Sequence, residues 1–187
     1  MSEFDRGVFV WVVEHRVGWL DPIFIALSIV GYAGLIWVAL APALALWTKR
    51  RILTTTAFTA GCVWASDLTA VAIKALVERP RPVSTVPEAD PIFGGTLGSS
   101  FPSGHAATAF AGAVILAALV RRAIPLLLTL AVLIAFSRVY LGVHYPLDVL
   151  GGAAIGTAVA LALAYWLRAL PRPLEGRRRS AAAQPRG

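Results

Sequence analysis

Two histidines that stand close to basic residues are the side chains of this sequence best able to act as a nucleophile or a proton donor. His105 follows Ser103-Gly104, and His144 stands four residues before Asp148. A neutral imidazole attacks electrophiles, a protonated imidazole donates a proton, and a neighbouring carboxylate fixes which ring nitrogen carries the hydrogen. The two histidines and the aspartate are therefore candidate catalytic groups.

The other polar residues of the same segments indicate an anion site. They are basic or stand at a predicted helix start, and they comprise Lys74, Arg79, Arg81, Ser103, Gly104 and Arg138. Arginine holds two phosphate oxygens with its planar guanidinium, whereas lysine supplies a compact point charge. Backbone N–H groups at a helix start also bind anions. The set predicts a phosphate site that stabilises the charge of a phosphoryl-transfer transition state.

The composition indicates how these groups are held. Of 187 residues, 58% are hydrophobic and 14% are charged, and the mean hydropathy is +0.73. These values lie outside the usual range for soluble domains and predict an all-α, polytopic transmembrane helical bundle. The net charge of +7 comes from basic residues at the ends of apolar runs, a pattern that argues against nucleic acid as a partner.

Five apolar runs are long enough to be read as membrane spans. Residues 4–17 instead alternate apolar and polar side chains, which predicts an amphipathic helix at the membrane interface. The predicted spans cover residues 21–47, 52–77, 103–121, 125–141 and 146–167. The chain then divides into an interfacial segment at 1–19, a membrane-embedded domain at 20–170, and a basic tail at 171–187 that we expect to be disordered.

Basic residues orient the bundle by the positive-inside rule. Because successive spans cross the membrane in alternating directions, one group of basic residues falls on a single side of the membrane. These residues are Lys49, Arg50, Arg51, Arg121, Arg122, Arg168, Arg172 and Arg177 to Arg179. That side is predicted to be cytoplasmic, together with the C-terminus. The loops at 78–102 and 142–146, which carry the candidate site, are then expected on the external face of the cell inner (plasma) membrane.

Three ordered motifs give the chain a family resemblance. They are Lys74 followed after six residues by Arg81-Pro82, then Pro102-Ser103-Gly104-His105, then Ser137-Arg138 with His144 and Asp148. Together they resemble the type 2 phosphatidic acid phosphatase family over about residues 20–168. Many lipid phosphatases of that family have six spans, whereas this chain begins with a predicted interfacial helix where a first span could stand.

The resemblance implies hydrolysis of a membrane lipid phosphate through a phosphohistidine, with no metal and no cofactor. His144 would attack phosphorus, His105 would protonate the leaving oxygen, and Asp148 would fix the tautomer of His144. Lys74, Arg81 and Arg138 would grip the phosphate, and Ser103 and Gly104 would donate to its oxygens. The domain at 20–170 would then be the phosphatase domain.

Three other readings use the same residues. Ser103 is a conceivable serine-hydrolase nucleophile, but no Gly-x-Ser-x-Gly elbow surrounds it. A metal site from His105, His144 and Asp148 would face repulsion from the neighbouring cations. A non-enzymatic lipid or anion carrier would need the basic pocket alone. For a phosphatase, the candidate substrates are polyprenyl pyrophosphate, phosphatidylglycerophosphate, phosphatidate and a polyprenyl-phosphate sugar phosphate, and an external site favours carrier-lipid or cell-wall precursor chemistry.

Overall fold

The computed structural model describes residues 3–94 and 97–169, and these residues form a bundle of helices. The predicted tail at 171–187 lies outside the described residues. The helices are α1 (Glu3–Glu14), α2 (Asp21–Val30), α3 (Leu35–Trp47), α4 (Ile52–Val77), α5 (Pro82–Thr85), α6 (Gly104–Ala117), α7 (Ile124–Tyr140) and α8 (Pro146–Ala169). Short 3-10 turns precede α2, α3 and α7. The predicted all-α class is confirmed.

Helix boundaries follow local chemistry. Pro22 and Pro125 stand in the first turns of α2 and α7, where a missing N–H removes no helical hydrogen bond. Ser103 caps α6 by accepting a hydrogen bond on its side chain from the Ala106 N–H. The run at 21–47 is broken by positive φ angles at Ala33 and Gly34. As a result, the segments before and after the break differ in direction by 49°.

Length and composition mark fewer candidate spans in the described residues than the five that the sequence predicts, so the number five stays a prediction. Three helical segments are long and apolar enough to cross a membrane: Ile52–Thr85, Arg121–Tyr140 and Pro146–Trp166. The bent pair that contains α2 and α3 is a fourth if it counts as one span. Helix α6 has only 14 residues, or about 21 Å at 1.5 Å per residue, which is shorter than a hydrocarbon core of about 30 Å.

Helix α6 lies at the centre of the bundle, where it packs against α4, α7 and α8. Its contact with α8 depends on small residues of α8. A methyl group at Gly152 would overlap the Ser103 carbonyl oxygen, and one at Gly156 would overlap the Ala107 carbonyl oxygen. The two backbones therefore touch along this seam, which holds the starts of α6 and α8 together.

Helix α1 buries a charged residue against the protein and exposes aromatic residues on its other side. Phe4 and Trp11 are 71% and 61% exposed, whereas the charged residue Asp5 is fully buried beside Phe9 and Val12. The helix packs against α7 and α8. Its exposed Phe4 and Trp11 suit contact with lipid, whereas its inner side carries the buried carboxylate of Asp5.

The α6–α8 seam yields a stability prediction. Gly156→Ala should destabilise the fold by about 1–3 kcal/mol, because the added methyl group must push α8 away from the α6 backbone. Gly61→Ala in α4 is the matched control, since a methyl group there meets nothing within 4 Å and alanine favours helix. Thermal unfolding in detergent measures both variants. Equal melting temperatures would contradict the close contact.

Candidate active site

All eight residues predicted to form the site lie at one end of the bundle. Helix α4 supplies Lys74 in its last turn, and the start of α6 supplies Ser103, Gly104 and His105. Helix α7 supplies Arg138 in its last turn, and the first turn of α8 supplies Asp148. Arg81 and His144 stand on the connections that precede α5 and α8. Lys74 is in electrostatic contact with Arg81, Arg138 and Asp148.

A tight connection between α7 and α8 carries His144. The Arg138 carbonyl accepts hydrogen bonds from the N–H groups of Val143 and His144, each at 3.2 Å. The turn passes through Gly142 at φ 81°, a conformation that favours glycine. The turn carries His144 into the interior, where the residue is only 3% exposed.

The surroundings of the His144 ring identify which nitrogen is free to attack. Nε2 lies 3.3 Å from Arg81 Nη1, and Nδ1 lies 3.5 Å from Asp148 Oδ2. A guanidinium only donates hydrogen bonds, so Nε2 faces it with a lone pair and Nδ1 carries the hydrogen that points toward Asp148. The Nδ1 to Asp148 separation is long for a hydrogen bond, as is common in sites without substrate.

Burial keeps this imidazole neutral. The pKa of His144 is lowered to about 4, chiefly because burial disfavours the charged ring, with Arg81 and Arg138 adding repulsion. A histidine with a lowered pKa loses its proton as pH rises through that value. The ring is therefore neutral throughout the physiological range, which is the state that a nucleophile needs.

Asp148 is fully buried and is held from three directions. Oδ1 accepts a hydrogen bond from Arg79 Nη1 at 2.6 Å, and Oδ2 accepts one from the Tyr145 N–H at 2.9 Å. The second oxygen also faces His144. A buried carboxylate is tolerated when it is paired and hydrogen-bonded, and these partners fix its orientation toward the ring.

Loop carbonyls hold two of the three phosphate-site cations. Arg81 donates from Nε to the Leu97 carbonyl at 2.9 Å and from Nη1 to the Val143 carbonyl at 3.0 Å. Lys74 Nζ donates to the Ser99 carbonyl at 3.3 Å. These contacts hold Arg81 beside His144 and Lys74 beside Arg81.

Arg138, the third cation, is 5% exposed. Its Nη1 donates to the Ser28 hydroxyl of α2, and its Nε is buried without a hydrogen-bond partner. A methyl group on Gly94 would come 3.0 Å from Nη2, so the loop backbone passes directly over the guanidinium. A buried donor with no protein partner is free to donate to an acceptor such as a phosphate oxygen.

The start of α6 contributes fewer backbone donors than expected. The Ser103 N–H donates to the Asp148 carbonyl at 2.9 Å, so it is already engaged. The Ser103 hydroxyl caps the helix, which also argues against its use as a hydrolase nucleophile. The Gly104 N–H, at the first position of α6, has no partner within the helix ladder and remains suited to an anion.

His105 lies next to the broken run of α2 and α3. Its ring contacts the Ser28 backbone and stands edge-on to Tyr32, with the ring centroids 6.3 Å apart. It also interacts electrostatically with His144 and Arg138. The two imidazoles thus share one site but have different neighbours, which suits two different roles.

Sequence reasoning missed the supporting roles of Asp5, Ser28 and Arg79. Ser28 contacts both Arg138 and His105, and Arg79 joins Asp5 to Asp148. Arg79 was recognisable as part of the cationic cluster, but its partners were not. Asp5 carried one available signal, since a carboxylate beside Phe4 in a short apolar helix costs free energy unless a cation meets it.

The chain is similar to known membrane lipid phosphatases. The PAP2 superfamily model matches residues 52–172. The chain is 34% identical over 149 residues to a decaprenylphosphoryl-5-phosphoribose phosphatase of Mycobacterium tuberculosis, covering 78% of this chain and 70% of that protein. It is 52% identical over 58 residues to the putative undecaprenyl-diphosphatase YbjG of Escherichia coli, covering 30% of this chain and 29% of that one.

A solved structure shares the fold. It is the transmembrane PAP2 type phosphatidylglycerolphosphate phosphatase from Bacillus subtilis, with a TM-score of 0.75 and 22% identity, covering 90% of this chain and 86% of that chain. The family model covers more than half of the sequence and includes all three motifs. The chain therefore belongs to the PAP2 superfamily, the family that its motifs resemble.

Proposed function

We propose that this membrane lipid phosphatase releases phosphate from polyprenyl-linked substrates on the external face of the membrane, with His144 as its nucleophile. The observation that carries the proposal is the position of the His144 ring between Arg81 and Asp148. A lone pair that faces a phosphate-binding guanidinium, with a carboxylate behind the opposite nitrogen, is the arrangement that nucleophilic attack on phosphorus requires.

In the first step, His144 Nε2 forms a bond to phosphorus while the bond from phosphorus to the leaving oxygen breaks. The negative charge of the bound phosphate favours protonation of His105, which then gives its proton to that oxygen. The phosphorylated ring of His144 gains a positive charge, which the Asp148 carboxylate stabilises through Nδ1–H. The guanidinium groups of Arg81 and Arg138 and the Lys74 ammonium balance the charge on the phosphoryl oxygens.

In the second step, a water molecule attacks the phosphohistidine. His105, now neutral, accepts a proton from the water as the P–N bond breaks, and inorganic phosphate leaves. His144 returns to its neutral Nδ1–H form and His105 to its protonated form. Each proton that His105 gives in the first step thus comes back in the second, and the cycle consumes only substrate and water.

Names of relatives support the polyprenyl class. The mycobacterial relative is named for decaprenylphosphoryl-5-phosphoribose, and the E. coli relative for undecaprenyl diphosphate. The first name describes a phosphomonoester and the second a pyrophosphate, and both describe a polyprenyl lipid. We therefore propose a terminal phosphate on a polyprenyl carrier as the substrate, with carrier-lipid recycling or cell-wall precursor chemistry as its setting.

Charge distribution supports an external site. Lys49, Arg50 and Arg51 lie between α3 and α4, and Arg121 and Arg122 lie before α7, all at the opposite end of the bundle from His144. By the positive-inside rule we propose that this basic end is cytoplasmic, with the C-terminus on the same side. Five crossings follow if the bent α2–α3 pair and the short α6 each traverse the bilayer.

A carrier would need only the cationic cradle. The proposed phosphatase also uses the neutral ring of His144 and the separate environment of His105, which a carrier has no use for. Trapping the covalent intermediate separates the two functions.

Covalent labelling tests the role of His144. With a substrate labelled in the terminal phosphate, the wild type should give an acid-labile, alkali-stable phosphoprotein, and His144→Ala should lose both the label and at least about 1,000-fold of kcat, because no nucleophile remains. His105→Ala should lose about 100- to 10,000-fold, the usual contribution of a proton donor. Full activity in His144→Ala would reject the mechanism.

His15→Ala is the matched control for the labelling experiment. His15 is the remaining histidine of the three in the chain. It is exposed just beyond α1, where its ring stacks on Trp11. The variant should keep both the label and wild-type kcat.

A panel of four lipids tests the substrate class. The two polyprenyl substrates, a pyrophosphate and a polyprenyl-phosphate sugar phosphate, should have kcat/KM at least about tenfold above phosphatidate and phosphatidylglycerophosphate, a difference of about 1.4 kcal/mol in transition-state binding. Phosphate release is measured against a His144→Ala blank. Preference for a glycerolipid, or inactivity on polyprenyl pyrophosphate, would contradict the assignment.

Single-cysteine labelling in whole cells tests the orientation. Glu88→Cys, on the exposed connection between α5 and α6, should react with a membrane-impermeant maleimide from outside. Arg51→Cys, at the start of α4, should react only after permeabilisation. The native Cys62 is buried within α4, so the unmodified chain serves as the blank. The reverse pattern would place the site on the cytoplasmic face.

A further inference from the structure

Helix α1 reaches the catalytic end of the bundle although it precedes residues 52–172, the part that the family model matches. Its Asp5 is fully buried. Asp5 Oδ2 accepts a hydrogen bond from Arg79 Nη2, and Arg79 Nη1 binds Asp148 Oδ1 at 2.6 Å. One guanidinium therefore joins a carboxylate of α1 to the carboxylate behind His144.

The position of Arg79 is fixed by more than its two carboxylates. Its guanidinium carbon lies 4.4 Å from the centroid of the Tyr145 ring, and its backbone carbonyl accepts a hydrogen bond from the Ser100 N–H at 2.8 Å. Each Nη atom serves one carboxylate, which uses the fork geometry that arginine has and lysine lacks. Arg79 thus binds one oxygen of Asp148, and His144 faces the other.

Asp5 also fixes the helix from which Asp148 projects. Its Oδ1 accepts a hydrogen bond from the Leu147 N–H at 2.9 Å, so it caps the first turn of α8 through a side chain from another helix. Both oxygens of Asp5 thereby constrain Asp148, one through Arg79 and one through the α8 backbone.

The C-terminal end of α1 lies near the connection between α7 and α8, on the side where α7 ends. Just beyond α1, Arg16 donates from Nε to the Tyr140 carbonyl at 2.7 Å and from Nη1 to the Asp90 carbonyl at 2.5 Å. Tyr140 ends α7, and residues 141–145 follow it to α8. Helix α1 and Arg16 therefore bracket the connection that presents His144.

We propose that Asp5 and Arg79 are positioning residues for the phosphoryl-transfer reaction, acting through Asp148 on the orientation of the His144 ring. This rests on the proposed roles of His144 and Asp148. Arg79 separates two buried carboxylates that would otherwise repel each other, and Asp5 holds Arg79 in the rotamer that reaches Asp148. Removal of either one leaves the phosphate cradle of Lys74, Arg81 and Arg138 in place.

A split between kcat and KM distinguishes positioning from binding. Asp5→Asn keeps a side-chain oxygen for the Leu147 N–H but loses the charge that holds Arg79, so kcat should fall roughly 10-fold while KM stays within about twofold. Arg79→Gln should lower kcat roughly 100-fold. The loss of kcat in Arg79→Lys should lie between the losses in Asp5→Asn and Arg79→Gln. A variant of Arg81, by contrast, should raise KM.

Arg6→Gln is the matched control on the same helix. Arg6 pairs with Glu88 at 3.5 Å across an exposed surface, with side-chain exposures of 47% and 42%, and such pairs contribute little. Its kcat and KM should equal those of the wild type. All rates are divided by the folded, monodisperse protein, and melting temperatures are measured in parallel.

A double-mutant cycle gives the decisive result. If Asp5 acts through Asp148, then Asp5→Asn should cause less than about a twofold further loss of kcat in the Asp148→Asn background. An equal fold loss in both backgrounds would overturn the proposal, as would unchanged kcat in folded Asp5→Asn and Arg79→Gln. Single-turnover phosphohistidine formation extends the measurable range for Asp148→Asn. Absence of any phosphohistidine in the wild type would instead refute the proposed function itself.

Discussion

The hydrogen bond from the Ser103 N–H to the Asp148 carbonyl joins the starts of α6 and α8, and the rest of the site depends on this junction. The bond requires the two backbones to touch, which the glycine at 152 permits because a side chain there would overlap the Ser103 carbonyl. Once the two helix starts are joined, His105 and His144 have to face the same small volume. The arrangement of the proposed catalytic residues is therefore a consequence of close backbone packing.

Charges near a membrane are stable only when they are collected and paired. In this protein the phosphate-site cations are held by carbonyl oxygens and a serine hydroxyl, and the two buried carboxylates share Arg79. Donors fixed in this way need little reorganisation when charge develops on phosphorus, which is the main source of electrostatic catalysis. The unpartnered Nε of Arg138 shows that the cradle still has donor capacity to offer an acceptor.

Helix α1 combines a side suited to the membrane interface with a side that contacts the proposed active site. Its exposed side carries Phe4 and Trp11, as a helix at an interface should. Its inner side carries Asp5, and Arg16 follows at its end. These two charges reach the flanks of the turn that presents His144. A short helix outside the three motifs can thus constrain a motif residue through a single intervening arginine.

The sequence by itself determined the helical class, the start and end of α4, and the eight residues that carry the proposed chemistry, because hydrophobic runs and motif spacing are local properties. It left the number of crossings a prediction, since the run at 21–47 is broken at Ala33 and Gly34 and α6 ends at Ala117, well before Arg121. Only the tertiary structure decided that Arg79 joins Asp5 to Asp148, because these residues are 74 and 69 positions apart from Arg79, and helical periodicity carries no information across that distance.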